Sequence, residues 1–257
     1  MCPFCRFRAR VDKPFRAAHG RVCAGAPAVS VASAGFAAYR RHVRDPVHDE
    51  AIREELDCRG LQHFLDVRAT VRVLLDHLPG SRRAAFGVSV AERLLREHES
   101  QPDHRHSAYV LQWRPALNVL WTALAKPGYD GGAGAEIAKA VGAFYLSPAY
   151  QERRHDDVAD SADHTAMAAL YATECYLHGG VDFAAWAGWR GFDAATVVAG
   201  SDREWPHRKP PRTTLEAWEL AHPAIQTELD RQLCALELLG DGSPELTDDI
   251  VLDRLRH

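Results

Sequence analysis

Six side chains that can bind a metal ion or carry a proton recur at helical spacing between residues 157 and 178. Two carboxylate–imidazole pairs, Asp160/His164 and Glu174/His178, have members four residues apart, so each pair shares one face of an α-helix. Such a pair can chelate a metal or relay a proton. The predicted polar stripe consists of Asp157, Asp160, His164, Tyr171, Glu174 and His178.

A solvent-exposed polar face accounts for this stripe without any ligand, and we expect that arrangement. His164 and Glu174 are ten residues apart, about 15 Å along a helix, so the two pairs could not hold one metal ion. A metal site would need partners from a second helix, with Glu219 and His222 as candidates. The chain has no H-E-x-x-H zinc motif.

A second candidate metal site lies at the start of the chain. Its pattern, Cys-x₂-Cys-x₁₃-His-x₃-Cys, has the ligand number and types of a small tetrahedral zinc site. Against it, Pro14 and Gly20 interrupt the helix that a zinc finger uses, and chance spacing is the competing interpretation. The four ligands would be Cys2, Cys5, His19 and Cys23.

Other chemistry has no motif in this sequence. There is no G-x-S-x-G nucleophile turn, and the GYDGGAG segment lacks the Lys-Ser/Thr of a phosphate-binding loop. Cys175 and Cys234 lie within amphipathic segments, where a small buried side chain is expected. The arginine clusters, such as Arg82-Arg83, are interpreted as solvated surface. The sequence therefore assigns no catalytic residue and no cofactor-binding residue, and we expect no cofactor. Zinc at the N-terminus stays open as an alternative.

The hydrophobic spacing predicts a succession of helices with no strand outside the first 45 residues. Ser81 is predicted to cap one helix and Asp182 another, with Gly179-Gly180 as the turn before Asp182, and Pro115 and His222-Pro223 mark kinks or helix starts. The fold class is all-α, an antiparallel bundle of about seven to eight helices over residues 48–257. Residues 1–45 are predicted to be a poorly ordered, Arg- and Cys-rich appendage. The predicted helices cover residues 49–58, 61–78, 82–98, 107–125, 135–146, 156–178, 182–200, 214–239 and 247–255.

Four small residues repeat at three- and four-residue steps in the 182–200 segment, which permits close helix packing. The aromatic residues between them, Trp186, Trp189 and Phe192, are predicted to anchor the core. The small residues are Ala184, Gly188, Gly191 and Ala195.

Composition indicates an ordinary globular protein, with 46% hydrophobic residues, 26% charged residues and a formal charge of −4. That charge gives no electrostatic case for binding nucleic acid or an anionic membrane. No apolar run approaches the roughly 20 residues that span a bilayer, and no signal peptide is recognised, so a cytoplasmic location is expected. The low lysine and high arginine and alanine content is typical of a GC-rich bacterial genome.

Several helical motifs between roughly residues 61 and 239 form a recognisable set. Their characteristic positions are Arg83, Ala85, Phe86, Ala91, Glu92, Arg93, Leu94, Tyr171, Ala172, Glu174, Ala185, Trp186, His222, Pro223 and Gln226. With these positions the chain resembles the YjaG-like bacterial family of unknown function. The resemblance implies a single all-α domain and no established activity or cofactor, and the Cys-bearing N-terminus and residues 247–257 depart from it.

The sequence leaves three functional hypotheses open. The first is a non-enzymatic protein that binds another protein, as a regulator or an immunity-type protein, because packing patterns abound while catalytic motifs are missing. The second is a metal-dependent enzyme or sensor that uses the stripe of residues 157–178. The third is an adaptor with the N-terminal zinc site, which recruits nucleic acid or a partner. Oligomeric state does not follow from the sequence.

Overall fold

The structure, a computed structural model, describes residues 67–102, 107–126, 133–147, 161–201, 222–240 and 249–256. Helices account for nearly all of these residues, and no strand occurs within these ranges. The predicted all-α class is therefore confirmed for this part of the chain. The predicted appendage of residues 1–45 and the predicted helix of residues 49–58 lie outside the described residues.

Eight helices and one additional helical turn make up the described part of the chain, in line with the expected number. None of these helices is long and apolar enough to cross a membrane. They are α1 Val67–Asp76, α2 Gly80–Glu99, the single turn α3 Ala108–Leu111, α4 Trp113–Ala125, α5 Ala133–Leu146, α6 Ser161–His178, α7 Val181–Ser201, α8 Pro223–Gly240 and α9 Asp249–Arg256.

Helix α2 is the central element of the bundle. It contacts α3, α4, α6, α7, α8 and α9, and every residue of α2 from 84 to 92 is buried. Most of these residues are apolar, but Ser89 and Glu92 are buried with them. A helix surrounded on all sides must pair its polar groups internally, because no water is available to them.

Helices α2 and α6 run antiparallel and pack very closely. Near the middle of the contact, a Cβ added to Gly87 would lie 3.3 Å from Cα of Ala172. At the end of the contact, a Cβ on Gly80 would lie 3.4 Å from Cα of Gly179. Small residues therefore allow α2 and α6 to approach each other closely. More than half of the residues of α6 are buried.

The turn between α6 and α7 lies at Gly179-Gly180, as predicted. Gly179 has a φ of +66°, a left-handed conformation that favours glycine at the end of a helix. The predicted cap at Asp182 is wrong, because α7 begins one residue earlier, at Val181, and Asp182 lies in its first turn. The Asp182 carboxylate instead accepts a 2.7 Å hydrogen bond from Arg72 of α1.

The predicted small-residue face of α7 is confirmed, since all four of its residues are buried. Side chains from α2 and α8, rather than a second backbone, pack against this face. A Cβ on Gly188 would lie 3.2 Å from the Phe86 ring of α2. A Cβ on Gly191 would lie 2.5 Å from the Glu228 carboxylate of α8. The glycines of α7 therefore make space for a buried polar group.

The predicted helix starts at Pro115 and Pro223 agree with the structure, whereas the predicted cap at Ser81 does not. Helix α2 begins at Gly80 after Pro79, with no side-chain cap, so the predicted cap at Ser81 is wrong. Pro115 lies in the first turn of α4, where a missing backbone N–H does no harm. Pro223 is likewise the first residue of α8, and Nδ1 of His222 accepts a hydrogen bond from the Ala224 N–H at 3.2 Å.

Two arginines in the first turn of α2 cap the C-terminal ends of three other helices. Arg83 donates to the carbonyls of Leu75 and Asp76 in α1 and of Gly179 after α6, at 2.8–3.1 Å. Arg82 donates to the Leu239 carbonyl in α8 at 2.6 Å. Interpreting this pair as solvated surface was wrong, because unpaired carbonyls at helix ends attract guanidinium groups.

Candidate functional site

The structure divides the predicted polar stripe between the interior and the surface. Asp157 and Asp160 lie outside the described residues. His164 is only 6% exposed, so the expectation that the whole stripe faces solvent is wrong at this position. Helix α6 contacts α2 and α7 along its length and also α3, α4 and α5, which leaves little of its surface for water. Tyr171, Glu174 and His178 lie on that remaining surface, with Tyr171 and Glu174 partly buried.

The Glu174/His178 pair forms as the spacing predicted. Nε2 of His178 lies 3.3 Å from Oε2 of Glu174, and the imidazole is 61% exposed whereas the carboxylate is 15% exposed. This contact lies at the end of α6, next to its turn into α7. The pair supplies two potential ligands, and no group of three or more His, Cys, Asp or Glu suited to a metal ion occurs in the described ranges.

Rings from α7 pack against this surface of α6 and form a continuous aromatic row. The Tyr171 and Trp186 ring centroids are 5.4 Å apart, and those of Trp186 and Phe183 are 5.5 Å apart in an edge-on arrangement. The Phe183 ring also lies 6.1 Å from the His178 ring. At the other end, the Arg190 guanidinium lies 5.9 Å from the Tyr171 centroid, within range of a cation–π contact.

We name this surface the aromatic ladder, and all its members remain partly accessible. Leu177, which projects from α6 close to it in sequence, is 49% exposed and is one of three large exposed hydrophobic residues in the described ranges. The interpretation of Trp186 as a core anchor was therefore too strong, because its ring covers the outside of the α6–α7 pair. The ladder consists of Tyr171, Glu174, His178, Phe183, Trp186 and Arg190.

The two cysteines in the described ranges differ in environment. Cys175 is fully buried, and burial raises the pKa of its thiol to about 11, so it is not a nucleophile at neutral pH. Its Sγ donates to the Gly180 carbonyl at 3.5 Å. Cys234 is exposed, which contradicts the expected burial. The four candidate zinc ligands near the N-terminus (Cys2, Cys5, His19 and Cys23) lie outside the described residues.

A buried carboxylate that sequence reasoning missed lies on α2. The Glu92 side chain is 0% exposed, and it accepts hydrogen bonds from Arg96 at 2.8 Å and from Nη1 of Arg114 at 2.8 Å. The indole N–H of Trp121 also donates to it, at 3.3 Å. Burial alone would raise the pKa of Glu92, but the Arg114 and Arg96 hydrogen bonds and charges outweigh burial and hold the pKa below its ordinary value of 4.5.

A second buried carboxylate, Glu228, lies between α2, α7 and α8. Its Oε1 accepts from Nη2 of Arg93 at 2.9 Å and from Nε2 of Gln232 at 2.8 Å. Gln232 also donates to the Gly188 carbonyl at 2.8 Å. Gly191 gives Glu228 its space because it has no side chain of its own. The only sequence signal for this network was the glycine spacing of α7.

Comparison of the chain with protein-family models, with curated proteins and with solved structures gives no match. The resemblance to the YjaG-like family therefore stays a prediction. Any functional proposal for the chain must come from the geometry of its described residues.

Proposed function

We propose that this chain is a non-enzymatic protein that binds another protein through the aromatic ladder, as a regulator or an immunity-type protein. The observation that carries the proposal is the row of partly accessible rings, Tyr171, Trp186 and Phe183, with Arg190 at its end. Tyr, Trp and Arg are the residues most enriched at the energetic centres of protein interfaces. Such rings bury a large area on binding and lose little conformational entropy.

The setting of the ladder supports the same function. Its helices are joined by a tight glycine turn, and both pack against the buried central helix α2. Ion pairs lie beside the rings, Arg72–Asp182 at 2.7 Å and Arg190–Asp193 at 3.4 Å. A rigid apolar centre with charged groups at its margin is the usual anatomy of a protein interface. The cytoplasm is the proposed compartment.

The test uses site-specific photo-crosslinking of the full chain in its native host. A photoreactive amino acid replaces Leu177, next to the ladder, or Leu146 at the end of α5, which is 79% exposed. We expect position 177 to give one discrete crosslinked protein. We expect position 146 not to give that same product. Trp186→Ala in the 177 background is expected to abolish that product and to leave the circular dichroism spectrum unchanged.

Identical products from both positions, or a product that survives Trp186→Ala, would reject the ladder as the binding surface. Leu146 is a matched control because it is also a large exposed leucine, yet it lies on α5 rather than on the α6–α7 pair.

A further inference from the structure

A groove of about 270 Å³ opens where four helices meet, away from the aromatic ladder. It lies between the C-terminal parts of α2 and α7 and the N-terminal parts of α6 and α8. Apolar side chains line much of its wall, including Leu94, Ala194, Ala195 and Val198. A space of this volume, near the lower end for small-molecule sites, suits a small organic molecule with a hydrocarbon part.

Glu228 is a buried carboxylate in the wall of this groove, and it is 5% exposed. Its Oε1 is held by Arg93 and Gln232, whereas its Oε2 accepts no hydrogen bond within the described ranges. Gly191, which also lines the groove, leaves the space that seats this carboxylate. A carboxylate oxygen in a largely apolar setting stabilises a hydrogen-bond donor strongly, and a charged donor most of all.

Among the described residues that line the groove, the one buried carboxylate, Glu228, accepts no hydrogen bond at its Oε2. The charged and titratable residues of this lining are Glu228, Glu97, Arg231 and His98, and Nε2 of His98 accepts a hydrogen bond from the Ser107 N–H at 3.0 Å. Glu97 and Arg231 form an exposed ion pair with each other at 2.9 Å. Glu228 is paired with Arg93, which does not line the groove, through Oε1, so its Oε2 can still accept from a cationic donor.

We propose that this groove binds a small aliphatic primary amine in its ammonium form. The ammonium group donates to Oε2 of Glu228, and the hydrocarbon packs against Leu94, Ala195 and Val198. This binding site is independent of the protein-binding function proposed for the ladder, since the two involve different residues.

Isothermal titration of the full chain at pH 7 with three molecules of matched shape tests the proposal. The probes are isopentylamine, which is positively charged at pH 7, isopentanol, which is neutral, and isovalerate, which is negatively charged. The amine is expected to bind about tenfold more tightly than the alcohol because of the charged hydrogen bond, and isovalerate is expected to bind most weakly. Equal affinities for the three probes, tighter binding of isovalerate, or no binding of the amine would overturn the proposal.

Three variants locate the binding. Glu228→Gln is expected to remove the preference for the amine over the alcohol. Val198→Trp fills the groove from an exposed position without changing the net charge, and it is expected to abolish binding of both probes. Leu177→Trp, an equally exposed substitution outside the groove, should bind the amine as the parent chain does. If Glu228→Gln fails to fold, amine binding that persists in Val198→Trp still rejects the site.

Discussion

Glu92 is a fully buried carboxylate whose closest partners come from its own helix and from α4, with Arg256 of α9 3.9 Å away. Replacing it with glutamine removes one of the two negative charges that pair with the Arg114 guanidinium, which is itself about three-quarters buried. Arg114 keeps Glu99 as a second partner at 2.6 Å, so the expected loss is that of buried charged hydrogen bonds rather than that of an unpaired charge. We therefore expect Glu92→Gln to lower the free energy of unfolding by about 2 kcal/mol. Urea denaturation followed by circular dichroism measures this change.

Glu97 provides the matched control on the same helix. It also pairs with an arginine, Arg231, but both side chains are about half exposed. An exposed ion pair contributes less than about 1 kcal/mol, so Glu97→Gln should be nearly neutral. Equal effects of the two substitutions would show that burial of Glu92 does not matter to stability.

The depressed pKa of Glu92 also predicts how stability depends on pH. Burial opposes this depression, and the Arg114 and Arg96 contacts cause it. Because the folded-state pKa lies below the unfolded value, the contribution of Glu92 is complete above the ordinary pKa of 4.5 and is lost as the pH falls through the folded-state pKa. The stability difference between the parent chain and Glu92→Gln should therefore shrink as urea titrations move from pH 6 towards pH 3. A constant difference over that range would contradict the assignment.

At the scale of the helix, two glycines of α7 allow the cost of crowding by a new Cβ to be compared with the gain in helix propensity from glycine to alanine. Alanine favours a helix over glycine by about 1 kcal/mol. At Gly191, however, the new Cβ would lie 2.5 Å from Oε1 of Glu228 and 3.0 Å from Val90. We expect Gly191→Ala to destabilise the chain by about 2 kcal/mol, because the buried Glu228 network and α2 must both move. Thermal and urea unfolding measure the effect.

Gly200, near the end of the same helix, is the matched control. A Cβ at this position would have no atom of the described residues within 4 Å. Gly200→Ala should therefore stabilise the chain by up to about 1 kcal/mol, by helix propensity alone. Stabilisation by both substitutions would mean that α7 does not approach α8 and α2 closely at Gly191.

Sequence periodicity predicted the positions of the helices well, but it predicted poorly which individual side chains are buried. The glycine steps of α7 indicated close packing because glycine weakens a helix and is retained at such spacing where a neighbour needs the room. His164 was placed on the wrong side of α6, since a helix enclosed by several neighbours has no single apolar face. The burial of Glu92 was missed because Arg114 lies 22 residues away, a distance that no local pattern relates. Its other partner, Arg96, is four residues away, a spacing that exposed ion pairs on helices share.

At the scale of the whole molecule, the described helices form a scaffold with internally paired charges and two separate accessible features. Arg82 and Arg83 connect the ends of α1, α6 and α8 to the start of the central helix α2. The aromatic ladder lies on the outer side of α6 and α7, and the groove lies where α2, α6, α7 and α8 meet. Fixed helix positions keep both features pre-organised, which lowers the entropy lost on binding.

The metal content of the purified chain separates the proposed function from the two metal-based hypotheses. We expect neither the full chain nor a version without residues 1–45 to contain stoichiometric metal. The described ranges hold no group of three ligands, the N-terminal Cys and His spacing is interpreted as chance, and the function proposed needs no metal. Elemental analysis of both versions after dialysis without chelator makes the measurement. Zinc present in the full chain and lost on truncation would favour the site of Cys2, Cys5, His19 and Cys23 and the adaptor hypothesis. Metal retained by both versions would instead favour the stripe on α6, and His164→Ala with Glu174→Ala should then release it.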